Sequence, residues 1–208
     1  MPANVTKSEE MEEVQDDELL PYVPDELLLK VSSKAEVVEL LQLAMANGGE
    51  FVDALPALKT FRVRFASAAD AAAFRNQLGD AYQAENNYLV KAPDFPEYET
   101  RDDSDQQALT GFGTSALNWL GISGDHSEWG AGVLVAILDT GMHPHEVFDG
   151  MNVSQLDLVG GTAEFSDYDS HGTAVASVSA QVAPASDILS VRVLDAEGLG
   201  DSYTVANG

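Results

Sequence analysis

The sequence contains no cysteine. That excludes disulfides, thiolate-ligated zinc and a cysteine nucleophile. Bases are scarce too: 10 Lys plus Arg stand against 35 Asp plus Glu, a formal charge of -25. Phosphate backbones and anionic bilayers are held by clustered Lys and Arg, so neither nucleic acid nor a membrane surface is an expected partner. No apolar run approaches the roughly 18–20 residues that cross a bilayer. Residues 1–20 are acidic and lack an apolar stretch, so no secretory leader is expected in them. What is present is a chain of 208 residues, 45% hydrophobic and 8% aromatic, enough to bury a core.

The acid is unevenly spread. Residues 1–30, 31–91, 92–130 and 131–208 carry nets of -7, -1, -7 and -10. A nearly neutral block therefore sits inside an acidic chain, which points to two differently built units. The excess acid reads first as a solvated surface, and next as adaptation to a salty or cation-rich setting.

Residues 1–20 show no periodicity and read as a disordered leader. Residues 26–31 (ELLLKV) form a short apolar run with strand character. Ser32 or Ser33 can cap a following helix, with Glu36 three residues after Ser33. Val37, Val38, Leu40, Leu41 and Leu43 give that helix its apolar stripe, and Gly48-Gly49 ends it. Phe51-Val52 and residues 61–65 (FRVRF) read as strands, the second strictly alternating, with Pro56 between them. Ser67 or Asp70 starts a second helix over 71–78, stopped by Gly79. Residues 82–90 form a last strand. The order β-α-β-β-α-β is the split βαβ, or ferredoxin-like, pattern of an α+β unit.

Pro93, Pro96 and the acids Asp102, Asp103 and Asp105 mark 92–110 as a solvent-exposed linker open to proteolysis. Residues 115–120 form a short helix with Ser115 as its cap. Residues 133–138 (VLVAIL) are apolar without alternation, the signature of a central parallel strand buried on both faces. Residues 188–194 form a second strand. Between them, 173–180 is rich in small residues and suits a helix packed close to a sheet.

The apolar strand runs into Asp139-Thr140-Gly141, and Asp169-Ser170-His171-Gly172-Thr173 opens the small-residue helix. A carboxylate at the C-terminal end of a parallel strand lies where open α/β sheets place their sites. An imidazole at the start of the helix can meet it, and the carboxylate would hold that ring in one tautomer. Such a pair is the supporting half of a Ser-His-Asp triad. His143-Pro144-His145-Glu146 offers an H-x-H with one acid, too few ligands for a metal site, and reads as a solvated loop.

Residues 133–141 (VLVAILDTG), 171–177 (HGTAVAS) and 182–194 (VAPASDILSVRVL) together resemble the subtilisin-type serine peptidases. The order Asp then His, 32 positions apart, is the subtilisin order and gap. Residues 24–91 resemble that family's inhibitory propeptide, and 84–90 (AENNYLV) its last strand. The resemblance implies four parts: a leader at 1–20, an inhibitory and folding-assisting propeptide at 21–91, a processed linker at 92–110, and the first part of a catalytic domain at 111–208. The implied architecture is a ferredoxin-like propeptide followed by an incomplete parallel-sheet α/β domain. Asp139 and His171 would be the catalytic pair. Leu194, Gly198, Leu199 and Gly200 would bind an extended peptide by strand addition, with Leu194 walling a side-chain pocket.

Three departures stand out. Ala174 replaces a second His usual in the family. The stretch 179–182 is too short for a calcium loop that many relatives carry there, although calcium remains open for a full-length enzyme. The third is the nucleophile. The family's Ser lies in a Gly-Thr-Ser motif well beyond the His, and no such motif follows His171. Gly113-Thr114-Ser115 mimics it but precedes the Asp, and Asn207 falls too early to be the oxyanion donor. The 208 residues alone are therefore expected to be inactive. The implied partners are peptide substrates and the chain's own propeptide as intramolecular inhibitor, and the family setting implies secretion.

Overall fold

Ser33 and Ser67 each end an extended stretch and start a helix. Their backbones are in the β region, and their hydroxyls accept the N–H of Glu36 and of Asp70, each at 3.2 Å. Glu36 reaches back one residue further than a standard capping box, to the N–H of Ser32 at 2.7 Å and to the Ser32 hydroxyl. Those bonds, the hydroxyl first, hold its carboxyl below the usual range. The computed structural model describes residues 21–93, 117–160 and 171–208. The leader, the linker from residue 94, Ser115 and the Asp169-Ser170 step lie outside them.

The first unit runs β1 (Tyr22–Lys30), α1 (Lys34–Ala46), β2 (Glu50–Leu55), β3 (Thr60–Arg64), α2 (Ala68–Leu78) and β4 (Gln83–Lys91). Its strands lie in the order β2-β3-β1-β4, each pair antiparallel. Alternate residues Leu27 and Leu29 of β1 and Phe61 and Val63 of β3 face the helices. They are buried against Leu40 and Ala44 of α1 and Ala71, Phe74 and Leu78 of α2. The two helices and the strictly alternating strand fall where the periodicity predicts. β1 begins four residues earlier than the apolar run. Pro24, which has no N–H for the ladder, is taken up where the register to β4 shifts between Val23 and Leu27.

The second unit contains β5 (Leu134–Asp139), β6 (Val153–Asp157), α3 (His171–Val182) and β7 (Asp187–Arg192). The three strands are parallel in the order β5-β7-β6. The expectation of a central β5 buried on both faces is corrected. β7 is central, and β5 is an edge strand with Leu134 61% and Leu138 38% exposed. Among the described residues nothing pairs with its outer edge. Its inner face does pack: Ile137 lies with Ile188 of β7 and with Ala176 and Ala180 of α3. β6 was not foreseen, because Val-Ser-Gln-Leu-Asp holds neither an apolar run nor clean alternation.

The units join through β8 (Leu199–Asp201), which pairs antiparallel with β4 and extends the first sheet to β2-β3-β1-β4-β8. α4 (Ser202–Asn207) follows directly, with Asp201 accepting the N–H and hydroxyl of Thr204 as its cap.

Candidate active site

β5 ends in Asp139 and α3 begins at His171, so these residues meet at the carboxyl edge of the parallel sheet. His171 Nδ1 lies 2.7 Å from Asp139 Oδ1 and 2.9 Å from Oδ2. An ionised carboxylate only accepts, so Nδ1 carries the proton of that bond and the ring's basic lone pair falls on Nε2. Asp139 is 7% exposed, so the pair sits largely out of water.

Local sequence explains how the pair is held. Thr140 donates its N–H at 2.7 Å and its hydroxyl at 3.1 Å to Asp139 Oδ1. The same hydroxyl accepts the Gly172 N–H at 3.1 Å, which ties the strand end to the first turn of α3. At Gly172 a Cβ would stand 2.0 Å from the Gly141 carbonyl oxygen, so only glycine permits this approach. Thr173 accepts the His143 N–H at 2.9 Å and fixes the loop beyond Gly141. The Asp139 carbonyl accepts from the N–H groups of Val193 and Leu194. The positioning roles of Thr140 and Thr173 were missed in the sequence, although both stand inside the motifs that carry Asp139 and His171.

The other expected site residues gather at the junction with the first unit. Leu199 and Gly200 lie in β8, opposite Lys91 and Val90 of β4, and the Ala92 N–H donates to the Gly198 carbonyl at 2.8 Å. Leu194 is buried, with Val90 and Ala92 packed against its cluster. At Gly200 a Cβ would lie 2.5 Å from the Val193 carbonyl oxygen, so this edge strand needs glycine to sit against its neighbour. An extended segment of the chain itself, residues 90–92, thus lies along the edge 198–201.

His145 accepts the Val147 N–H and stands edge-on to Phe148. Among the described residues no group of three His, Asp or Glu is placed to hold a metal ion. Ser177, Ser186 and Ser202 donate their hydroxyls to Ala174, Ala183 and Asn87 rather than to His171. Asn207 closes α4.

No family model matches the chain. It is 33% identical over 90 residues to the serine protease AprX of Bacillus subtilis (strain 168), a match covering 38% of this chain and 20% of that protein. Its fold is similar to that of fervidolysin from Fervidobacterium pennivorans, a keratinolytic enzyme related to subtilisin. There the TM-score is 0.56 at 18% identity, over 90% of this chain and 33% of that one. These likenesses support a subtilase relationship. A coverage of 90% takes in both units, and the chain spans a fifth to a third of the proteins it resembles. Among the described residues no helix is long and apolar enough to cross a membrane.

Proposed function

We propose that the chain is the N-terminal part of a subtilisin-like serine endopeptidase precursor. Residues 21–91 are its ferredoxin-like inhibitory propeptide, and 111–208 the first part of its catalytic domain. The observation that carries this reading is His171 Nδ1 on both oxygens of a largely buried Asp139. In the completed enzyme, His171 Nε2 takes the proton from a Ser supplied by sequence beyond Gly208 and returns it to the leaving amine. Asp139 keeps the ring oriented and stabilises its cation through that step. An oxyanion hole, also supplied by the missing sequence, stabilises the tetrahedral intermediate.

The extended segment on 198–201 supports the inhibitory half of the proposal. Backbone pairing at that edge is how a peptide substrate would bind, with Leu194 against its side chains. Residues 90–92 occupy the edge as a substrate would, and block it until the linker is cut within 91–110. A second reading, an inhibitor or folding chaperone without its own peptidase activity, rests on the same segment.

The 208 residues carry Asp139 and His171 but no Gly-Thr-Ser motif after them to supply the family's nucleophile. They should therefore take no label from a serine-directed phosphonate probe. The product of the coding frame continued past Gly208 should be labelled at a Gly-Thr-Ser serine. A labelled serine in the 208 residues overturns the placement of the nucleophile beyond Gly208, and no such motif downstream overturns the peptidase reading.

A further inference from the structure

The pairing of β4 with β8 runs through backbone groups and does not by itself discriminate among partners. A second contact between the units does. Tyr203, the second residue of α4, is 2% exposed, and its ring lies under the Arg62 guanidinium, 4.4 Å from carbon to ring centroid. Arg62 belongs to β3, on the sheet face turned away from α1 and α2. Beside it Glu26, also 2% exposed, accepts two bonds from Arg64, lies 3.7 Å from Arg62 Nη1 and accepts the Asn87 amide at 2.8 Å. Asn87 is fully buried. Its carbonyl oxygen accepts the Tyr203 N–H at 3.0 Å and the Ser202 hydroxyl at 3.1 Å.

The Asn87 side chain is thus engaged on both sides, its amide nitrogen by the first unit's buried acid and its oxygen by the second unit. Swapping Ser202 and Tyr203 for other residues would remove the ring from under Arg62 and a donor from Asn87, leaving groups that are costly to bury alone. An unrelated strand edge could still pair with β4, but it would leave these groups unmatched.

We infer that this charged sheet face is a recognition surface. It reads a hydroxyl residue followed by an aromatic ring at the start of a helix, and Tyr203 is the residue by which the N-terminal unit selects the domain it is joined to. The inference does not need the peptidase reading, because the contact lies within this chain whatever the second unit does.

The test uses the full 208-residue chain, given a site-specific protease site within 101–105 and nicked there. The nicked parent should co-elute as one species on gel filtration. Tyr203→Ala should weaken the association by about tenfold or more, while Tyr203→Phe stays within about threefold. Amide exchange in β1 and β3 should not change in either variant. Should Tyr203→Ala unfold the second unit, Arg62→Gln, which alters only the first unit's face, must weaken association to the same order. Association of the parent that fails outright overturns the inference. So does a Tyr203→Ala chain that holds together as tightly as the parent, or an Arg62→Gln chain that does so.

Discussion

The two sheets of this molecule are closed to different degrees. In the first, helices α1 and α2 cover one face, and Leu29, Leu40, Val63 and Phe74 are at most 2% exposed. In the second, α3 packs against both β5 and β7, while β5 presents Leu134 and Leu138 to solvent and its outer hydrogen-bonding edge has no described partner. The first sheet finishes its own core. The second buries the Asp139–His171 pair more completely than it buries its edge-strand leucines. A parallel sheet is ordinarily covered on both faces, and among the described residues this one is covered less completely than the first.

The same residue type placed in the two sheets should behave oppositely. Leu29→Ala should cost about 3–5 kcal/mol in urea unfolding, the range for a fully buried leucine. Leu138→Ala should cost less than about 1 kcal/mol, as at exposed positions generally. Equal losses would erase the contrast. Next in size is the junction. Asn87→Asp removes the donor to Glu26 and sets two carboxylates side by side, so it should destabilise by about 2 kcal/mol. The loss should appear as faster amide exchange at Ala92 and Tyr203. A neutral outcome would show that the buried network does not hold the units together.

The smallest effect concerns pH. The Tyr203 phenol is pushed up to about 12, by burial first and then by the nearby Asp53, though no hydrogen bond of good geometry joins the two. The folded state thus holds this proton more tightly than the unfolded chain does. The associated stability is intact below pH 10 and is lost as pH rises from about 10 through about 12. Unfolding midpoints of the parent should fall further over that window than those of Tyr203→Phe, and identical profiles would contradict the assignment.

Legibility in the sequence follows the same division. Local chemistry announces the first unit: Ser33 and Ser67 cap helices, Gly48 and Gly79 stop them, and the alternation of 61–65 gives its buried face. Asp139 and His171 were legible for a different reason, since each stands in a short motif with a glycine the backbone needs, Gly141 for its positive φ and Gly172 for its close approach to the Gly141 carbonyl. β6 stayed hidden because a short edge strand needs little apolar content. The burial of β5 was overestimated, because an apolar run states what a strand can bury and not what the described chain supplies to cover it. The pairing of β4 with β8 and the contact of Asn87 with Tyr203 join residues over a hundred positions apart, and no periodicity encodes such a meeting.

The central claim is that Asp139 and His171 work for a nucleophile elsewhere in a longer chain, held back by residues 90–92. The most direct measurement is the N-terminus of the mature species, by mass spectrometry, when the coding frame continued past Gly208 is expressed as the parent and as His171→Ala. The account predicts cleavage within 91–110 in the parent and an uncut chain in the variant. A parent cut outside that window, or a variant cut at the same bond as the parent, would contradict it.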